Sequence, residues 1–414
     1  MSSRIAFAHL CRITASSAMV CLLTAAVSAA VASSPPVAGK VLRSLSPTTG
    51  SYPIAAPTLD PSGALYGTTT AGGTLGFGSV YKLVPSPTGP WKQTIVYNFD
   101  GALGGGYAYG GVILDASSNL YGTTIYGGAS GVGEVYELLP QGAGKWTFKT
   151  LYSFNLSGDG YYPMACLVFD QAGNLYGTTY QGGTSNLGTV FELTPDGSGG
   201  WTETILHSFS ATGDGSYPLA PVIFDSVGNL YGTTSSGGTS HRGTVFELSP
   251  SGSTWTETIL YNFTGLNGDA AAPEAGVVFD PAGNLYGTTV SGGKGAQGTA
   301  YKLSPGVGFW TETTLHSFLV NGHDGYNPLA TLVIDPAGNL YGTTANGGLE
   351  GKGIAFELLP NGSMFRSLVL RSFSGANDGS NPYSGVIRDS AGNLYGTTTK
   401  GGSANGGVVY RLTP

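Results

Sequence analysis

"GNLYGTT" stands at 173–179 and recurs at 228–234, 283–289, 338–344 and 392–398, with "GALYGTT" at 63–69 and "SNLYGTT" at 118–124. The "LYGTT" cores begin at 65, 120, 175, 230, 285, 340 and 394, a step of 55 residues five times and 54 once. Self-similarity at a fixed period of this length is the mark of a solenoid or a propeller. The fourth unit reads "PLAPVIFDSVGNLYGTTSSGGTSHRGTVFELSPSGSTWTETILYNF" and contains four strand-like runs: "APVIFD", "NLYGTT", "GTVFELSP" and "TETILYNF". Each is short, rich in β-branched or aromatic residues, and bounded by Gly, Asn, Ser or Pro. Outside the N-terminal segment no stretch has a helical period. Four strands per unit predict an all-β chain, a seven-bladed β-propeller of four-stranded antiparallel blades.

The ends of the repeat array predict how the ring closes. The first repeated element, "VLRSLS" at 41–46, aligns with a fourth strand such as "ILHSFS" at 205–210, and the last, "GVVYRLTP" at 407–414, aligns with a third strand. Pairing the two completes the seventh blade and covers a sheet edge that would otherwise invite aggregation. An open β-solenoid is the competing fold, but it needs capping repeats. The expected organisation is a signal peptide at 1–32, a short linker at 33–40 and one propeller domain at 41–414.

The pattern "GNLYGTT-x-x-GG" followed by "GTVFELTP" resembles the GloVer-type tandem repeats of exported bacterial proteins, and the likeness extends over 41–414. The resemblance implies export and a propeller-like architecture, and it implies no activity. Some members of that family carry a C-terminal sorting anchor; here Pro414 directly follows a strand, so none is expected.

The N-terminus carries its own export signal. Arg4 and Arg12 precede an apolar run from about Ala18 to Ala26, and small residues follow in "AVSAAVASS". Cleavage after Ala29 or Ala32 suits the small-x-small rule, and the apolar run is short for a membrane span. No second long apolar segment follows. The protein is therefore expected to be secreted or to reside at the cell exterior or in the periplasm, with no membrane span in the mature chain. Cleavage leaves 15 Lys plus Arg against 24 Asp plus Glu, a net charge of −9. Such a surface argues against nucleic acid and anionic lipid as partners. Cys166 is the one cysteine left after cleavage, so no internal disulfide forms, and its strand context "ACLVFD" suits a buried, inert thiol.

Several repeated residues read as structure. Asp60, Asp115, Asp170, Asp225, Asp280, Asp335 and Asp389 each end a first strand, where a carboxylate accepts turn amides. One carboxylate per turn is too few for a calcium cage, and no metal or cofactor is expected. Trp91, Trp146, Trp201, Trp255, Trp310 and Phe365 open the outer strand, placed to pack between sheets. The Gly inside "LYGTT" needs a close neighbour, expected from an aromatic of the adjoining blade.

Candidate binding residues lie on the loops that share one face of the disc. A recurring Asp-Gly supplies Asp159, Asp214, Asp324 and Asp378, with Asp269 followed by Ala, and Tyr109, Tyr162, Tyr217, Tyr326 and Tyr383 lie close by. Carboxylates beside aromatic faces suit a polyhydroxylated ligand: hydroxyls bond to Asp while C–H faces lie on the rings. The same Asp-Gly pairs also serve simply as turns.

Departures from the repeat are where a single active site would lie. Glu274 replaces the Met164, Leu219, Leu329 or Tyr383 of other copies, five residues after Asp269, and paired carboxylates can cleave a glycosidic bond. His241 and His323 could add a base. No serine-nucleophile motif, zinc spacing or phosphate loop is present. The expected function is an exported binding or scaffold module, a monomer, for polysaccharide or a cell-surface protein; the alternative is an extracellular glycan-cleaving hydrolase or lyase.

Overall fold

The computed structural model describes residues 37–210, 213–362 and 364–414. The expected signal peptide at 1–32, and residues 33–36 of the expected linker, lie outside the described residues. Among the described residues the regular structure is entirely β, and no helix is long and apolar enough to cross a membrane. Seven four-stranded antiparallel sheets stand in a ring, one for each "LYGTT" copy, and form a β-propeller. Six blades are built in chain order; in the fourth, the inner strand is Ile223–Phe224, the second Leu230–Thr234, the third Thr244–Ser251 and the outer Thr254–Asn262. In the seventh, the outer strand comes from the start of the array: Ala38–Ser44 pairs with Val408–Thr413. That strand begins three residues before the expected Val41, inside the stretch read as linker.

The second strand is wholly buried in all seven blades. Each of its residues has a separate task. The Tyr packs against the following blade, as Tyr121 on Phe169 (5.1 Å), Tyr176 on Phe224 (5.0 Å) and Tyr231 on Phe279 (4.9 Å), all edge to face. The outer-strand Trp of that blade closes over it, as Trp146 does over Tyr66 at 6.4 Å.

The Gly faces a partner other than the expected one. The ring pressed against it belongs to the third strand of its own blade, its directly opposed cross-strand neighbour: Gly232 pairs with Phe246, and a Cβ added there would lie 2.5 Å from the ring tip. Tyr81, Tyr136, Phe191, Tyr301, Phe356 and Tyr410 cover the other six glycines in the same way. Directly opposed residues of an antiparallel pair are nearer than any neighbouring sheet, which lies about 10 Å away.

The first Thr stitches the ring together. Its buried hydroxyl donates across the blade interface to a carbonyl in the segment that leads into the next copy's inner strand: Thr68 to Gly110 (2.9 Å), Thr123 to Ala165 (3.0 Å), Thr178 to Ala220 (3.1 Å) and Thr233 to Ala275 (2.8 Å). Thr288 reaches Ala330 (3.1 Å), Thr343 reaches Ser384 (2.6 Å), and Thr397 reaches Ala55 (3.2 Å), which closes the circle. The second Thr stays within its blade, in six blades donating to the carbonyl two residues on, as Thr234 does to Ser236 (2.9 Å), and in the first bonding to Ser79.

The turn aspartates act as expected. Asp225 Oδ1 accepts the amides of Val227 and Asn229, both at 2.9 Å, and Oδ2 takes the Asn229 side chain (2.9 Å) and the Tyr231 hydroxyl (3.3 Å). A β-bulge interrupts every pairing of third and outer strand and adds the twist that a radial blade requires.

One blade carries a buried carboxyl group at the start of its third strand. Glu134 is fully buried where other blades place Ser79, Thr189, Thr244 or Thr299. Thr150 donates to its Oε2 (2.9 Å), while Oε1 has no partner. Burial, against the lowering effect of Thr150 and with help from Asp100, pushes its carboxyl up to about 8.

Two outcomes follow from this packing. Gly232→Ala forces Phe246 to move, and such overpacking costs about 1–3 kcal/mol; Thr233→Val leaves the Ala275 carbonyl unpaired at a cost of about 1–3 kcal/mol. Both lower the urea midpoint, and an unchanged midpoint for either removes its assigned role. For Glu134, the folded chain holds a proton up to about 8 that the unfolded chain releases near 4.5. Its stabilising contribution is therefore complete below pH 4.5 and lost as pH rises toward 8. Glu134→Thr should flatten the fall of melting temperature between pH 5 and 9; parallel wild-type and variant curves would refute this.

Candidate functional site

Each blade brings two loops to the same face, and backbone pairing joins them. Gly215–Ser216 of the incoming loop pairs with Ser236–Gly237 of the loop between second and third strands. The blades that follow and precede it pair the same way, and single bridges such as Gly106 to Tyr126 serve the rest. The incoming chain then turns down into the centre, so one residue per blade faces the channel mouth. Those residues are Ile54, Tyr109, Met164, Leu219, Glu274, Leu329 and Tyr383, and they line a cavity of about 680 Å³ with Tyr52, Thr70, Tyr180, Thr399 and Lys400. A narrower space of about 340 Å³ continues below them, walled by small residues such as Gly110, Ala165, Ala220, Ala275 and Ala330.

Two residues before each lining position the backbone is left-handed. The residues there are Tyr52, Tyr107 and Tyr162 (φ 57°), Tyr217 (59°), Ala272 (54°), Asn327 (56°) and Asn381 (55°). Hydrogen bonds on both sides hold this conformation. The Tyr217 amide donates to Leu187 of the preceding blade (2.8 Å), and its carbonyl accepts from Ser235 of its own blade (3.2 Å). The equivalent bonds recur at the other six positions. Asn tolerates this region well, whereas a bulky residue there is a genuine outlier that costs about 1–3 kcal/mol. Four of the seven copies nevertheless place Tyr there.

Three of those tyrosines, Tyr107, Tyr162 and Tyr217, make aromatic contacts along one side of the mouth. Tyr107 meets Phe77 (5.8 Å) and Tyr126 (5.5 Å), and Tyr126 meets Tyr162 (5.5 Å), which meets Tyr161 (5.0 Å). Tyr180 and Tyr217 lie 5.1 Å apart. Tyr52, Tyr109, Tyr126 and Tyr383 are exposed. The opposite side carries Ala272, Asn327 and Asn381 in place of the tyrosines.

The sequence-derived candidates divide between the cavity and the outer loops. Tyr109, Tyr383 and Glu274 line the mouth, and Tyr162 and Tyr217 flank it. Tyr326 sits in the paired segment Gly325–Tyr326, half-buried against the adjoining core. The five Asp residues turn back into their own loops. Asp159 accepts from the Tyr152 hydroxyl (2.9 Å), the Asn155 amide (3.2 Å) and the Gly160 amide (2.7 Å). Asp269 accepts from Tyr261 (3.2 Å), the Thr264 amide (2.7 Å) and the Ala270 amide (2.8 Å). Asp214, Asp324 and Asp378 do the same, with His207 (3.2 Å), His316 (2.9 Å) and Arg371 (2.7 Å) in the place of the tyrosine. Their oxygens face their own turn amides and the outer-strand side chain beside them, and none lines the cavity.

Glu274 is therefore not brought together there with Asp269, His241 or His323. His241 occupies a left-handed turn position (φ 54°) and His323 an exposed loop, and neither reaches the cavity wall. Burial among apolar neighbours raises the Glu274 carboxyl above its ordinary value. Burial likewise raises the Cys166 thiol, which accepts the Gly111 amide at 3.0 Å in the channel wall. The sequence reading named Tyr162 and Tyr217 but not Tyr52 or the left-handed backbone they share, although the 55-residue register aligns them; Tyr does not announce positive φ as Gly or Asn does.

Among solved structures, the chain is similar to a candidate 6-phosphogluconolactonase from Bacteroides uniformis, with 14% identity over 81% of this chain and 88% of that one and a TM-score of 0.51, a likeness of fold alone. A candidate oxidoreductase (glucose dehydrogenase) from Thermus thermophilus matches at 15% identity over 91% of this chain and 100% of that one, with a TM-score of 0.40, too low to carry an argument. No curated protein matches the sequence. The Gloeobacter/Verrucomicrobia repeat matches twice, over residues 31–223, with three of the "LYGTT" copies, and 220–414, with four. The chain belongs to the Gloeobacter/Verrucomicrobia repeat family.

Proposed function

We propose that the protein is an exported binding module that takes a glycan on the aromatic side of its channel mouth. The observation that carries this reading is the retention of Tyr at four left-handed positions around the cavity, where Asn in the sixth and seventh copies meets the same backbone without strain. A costly residue repeated beside an open cavity is better accounted for by what its ring offers than by the turn it makes. Tyr faces take the C–H surfaces of a sugar, and the phenol hydroxyls and the Thr70 and Thr399 side chains offer hydrogen bonds to its hydroxyls. The mouth is otherwise apolar, with Glu274 and Lys400 as its charged groups, which suits an uncharged or weakly charged polysaccharide. The N-terminal segment at 1–32 supports an extracytoplasmic setting where such a ligand is met.

Catalysis by Glu274 is the second reading, supported by its raised carboxyl, which suits a general acid. It lacks the second carboxylate that glycoside hydrolysis commonly uses, since Glu274 is the one acidic residue of the cavity lining.

The test is retention and degradation of a pooled polysaccharide panel by the mature protein. Tyr109→Ala and Tyr383→Ala should each weaken retention by about 3- to 10-fold, the worth of one aromatic contact. Tyr52→Asn should weaken it while the melting temperature stays level or rises. Retention that survives all three changes overturns the reading. Depolymerisation that Glu274→Gln abolishes replaces it with the enzyme.

A further inference from the structure

The interface between the outer strands of adjacent blades repeats a three-residue arrangement around the ring. A residue near the end of one outer strand donates to the Asp of its own following loop and faces a residue near the start of the next outer strand. In successive blades the set is Tyr152, Asp159 and Glu203; then His207, Asp214 and Glu257; then Tyr261, Asp269 and Glu312; then His316, Asp324 and Ser367. The interface of the third and fourth blades alone in this series combines an imidazole with both carboxylates.

The geometry points to a divalent transition-metal site at His207, Asp214 and Glu257, with Zn²⁺ as the cation its donors best fit. His207 Nε2 lies 3.2 Å from Asp214 Oδ2 and 3.7 Å from Glu257 Oε1, and one donor atom from each of the three falls within 4.8 Å of the others. Zinc bonds of about 2.0–2.1 Å in a tetrahedron set their ligands about 3.3 Å apart. Glu257 Oε1 is shut from solvent and has no hydrogen-bond partner, which a cation would supply. The remaining Asp214 contacts already hold that ligand in place: the Ser210 amide donates to Oδ2 (2.7 Å) and the Gly215 amide to Oδ1 (2.6 Å). His207 is steadied edge-on by Phe209 at 4.8 Å. Partial exposure of the imidazole leaves a solvent route for a water as fourth ligand.

The neighbouring interfaces serve as internal controls. A neutral phenol replaces the imidazole at Tyr152 and Tyr261, so Glu203 Oε1, unpartnered like Glu257 Oε1, has no imidazole beside it, and Thr314 already donates to Glu312 Oε1 at 3.1 Å. At His316 the second carboxylate is replaced by Ser367. With ligands on both outer strands, a bound cation clips the third blade to the fourth at the rim, away from the residues lining the channel mouth.

The experiment titrates chelator-stripped full-length mature protein with Zn²⁺ against a chromophoric zinc indicator and follows the melting temperature. About one equivalent should bind and raise the melting temperature in proportion to the logarithm of free zinc. His207→Tyr copies the two adjacent interfaces and Glu257→Ser copies the sixth blade, so both keep arrangements the fold already uses. Either should lower zinc affinity at least about 10-fold and abolish the thermal shift, while His316→Tyr should change neither. Absence of zinc uptake by the wild type, or uptake that survives both His207→Tyr and Glu257→Ser, overturns the site.

Discussion

Seven buried hydroxyls hold this molecule in a circle. Each belongs to the first Thr of "LYGTT" and donates to a carbonyl just ahead of the next inner strand, at 2.6–3.2 Å. Hydrophobic burial between blades is plentiful but non-directional, and it would tolerate a range of inter-blade angles. A hydrogen bond with a geometric optimum, deep in an apolar interface, is costly to leave unmade and so selects one angle. Repeated at every interface, it makes the angle common to all blades, and seven equal angles close on themselves when Thr397 reaches Ala55. The channel, its mouth and the column of lining residues are consequences of that closure.

The same symmetry explains where individuality is tolerated. "LYGTT" is buried throughout, with its Gly beneath an aromatic and both Thr hydroxyls engaged, so little variation fits. The lining column contacts no neighbouring blade through a required bond, and there the chain writes Ile, Tyr, Met, Leu, Glu, Leu and Tyr in turn. The column two residues earlier is intermediate. Its backbone is bound on both sides, its side chain is free, and aromatic residues occupy one half of the ring while Ala and Asn occupy the other. A propeller with seven equivalent positions thereby acquires a polar axis across its face.

Much of this was legible in the sequence. The register of "LYGTT" counts the blades, and the alignment of 41–46 with fourth strands and 407–414 with third strands gives the closure. What escaped has physical reasons. Asp-Gly is equally suited to presenting a carboxylate and to capping a turn, and only coordinates show Asp159 and Asp269 turned inward on their own amides. The Gly in the second strand requires a close ring, but one sequence cannot say whether the ring comes across the strand or across the interface; it is the cross-strand neighbour. His207, Asp214 and Glu257 come from two blades, so no spacing motif unites them. Glu134 went unremarked in the sequence, because one Glu near a strand reads as a solvated side chain and only coordinates show its complete burial.

The borrowed outer strand also sets an order of events. On a chain made from its N-terminus, Ala38–Ser44 emerges before all seven "LYGTT" copies, and its partner Val408–Thr413 follows the seventh. The first blade can collect its own four strands early, but the ring has no latch until translation has passed residue 413. Contacts so distant in sequence form late and slowly. An architecture whose final fastening waits for the closing strand stays an open arc of blades for as long as the intervening repeats take to be made.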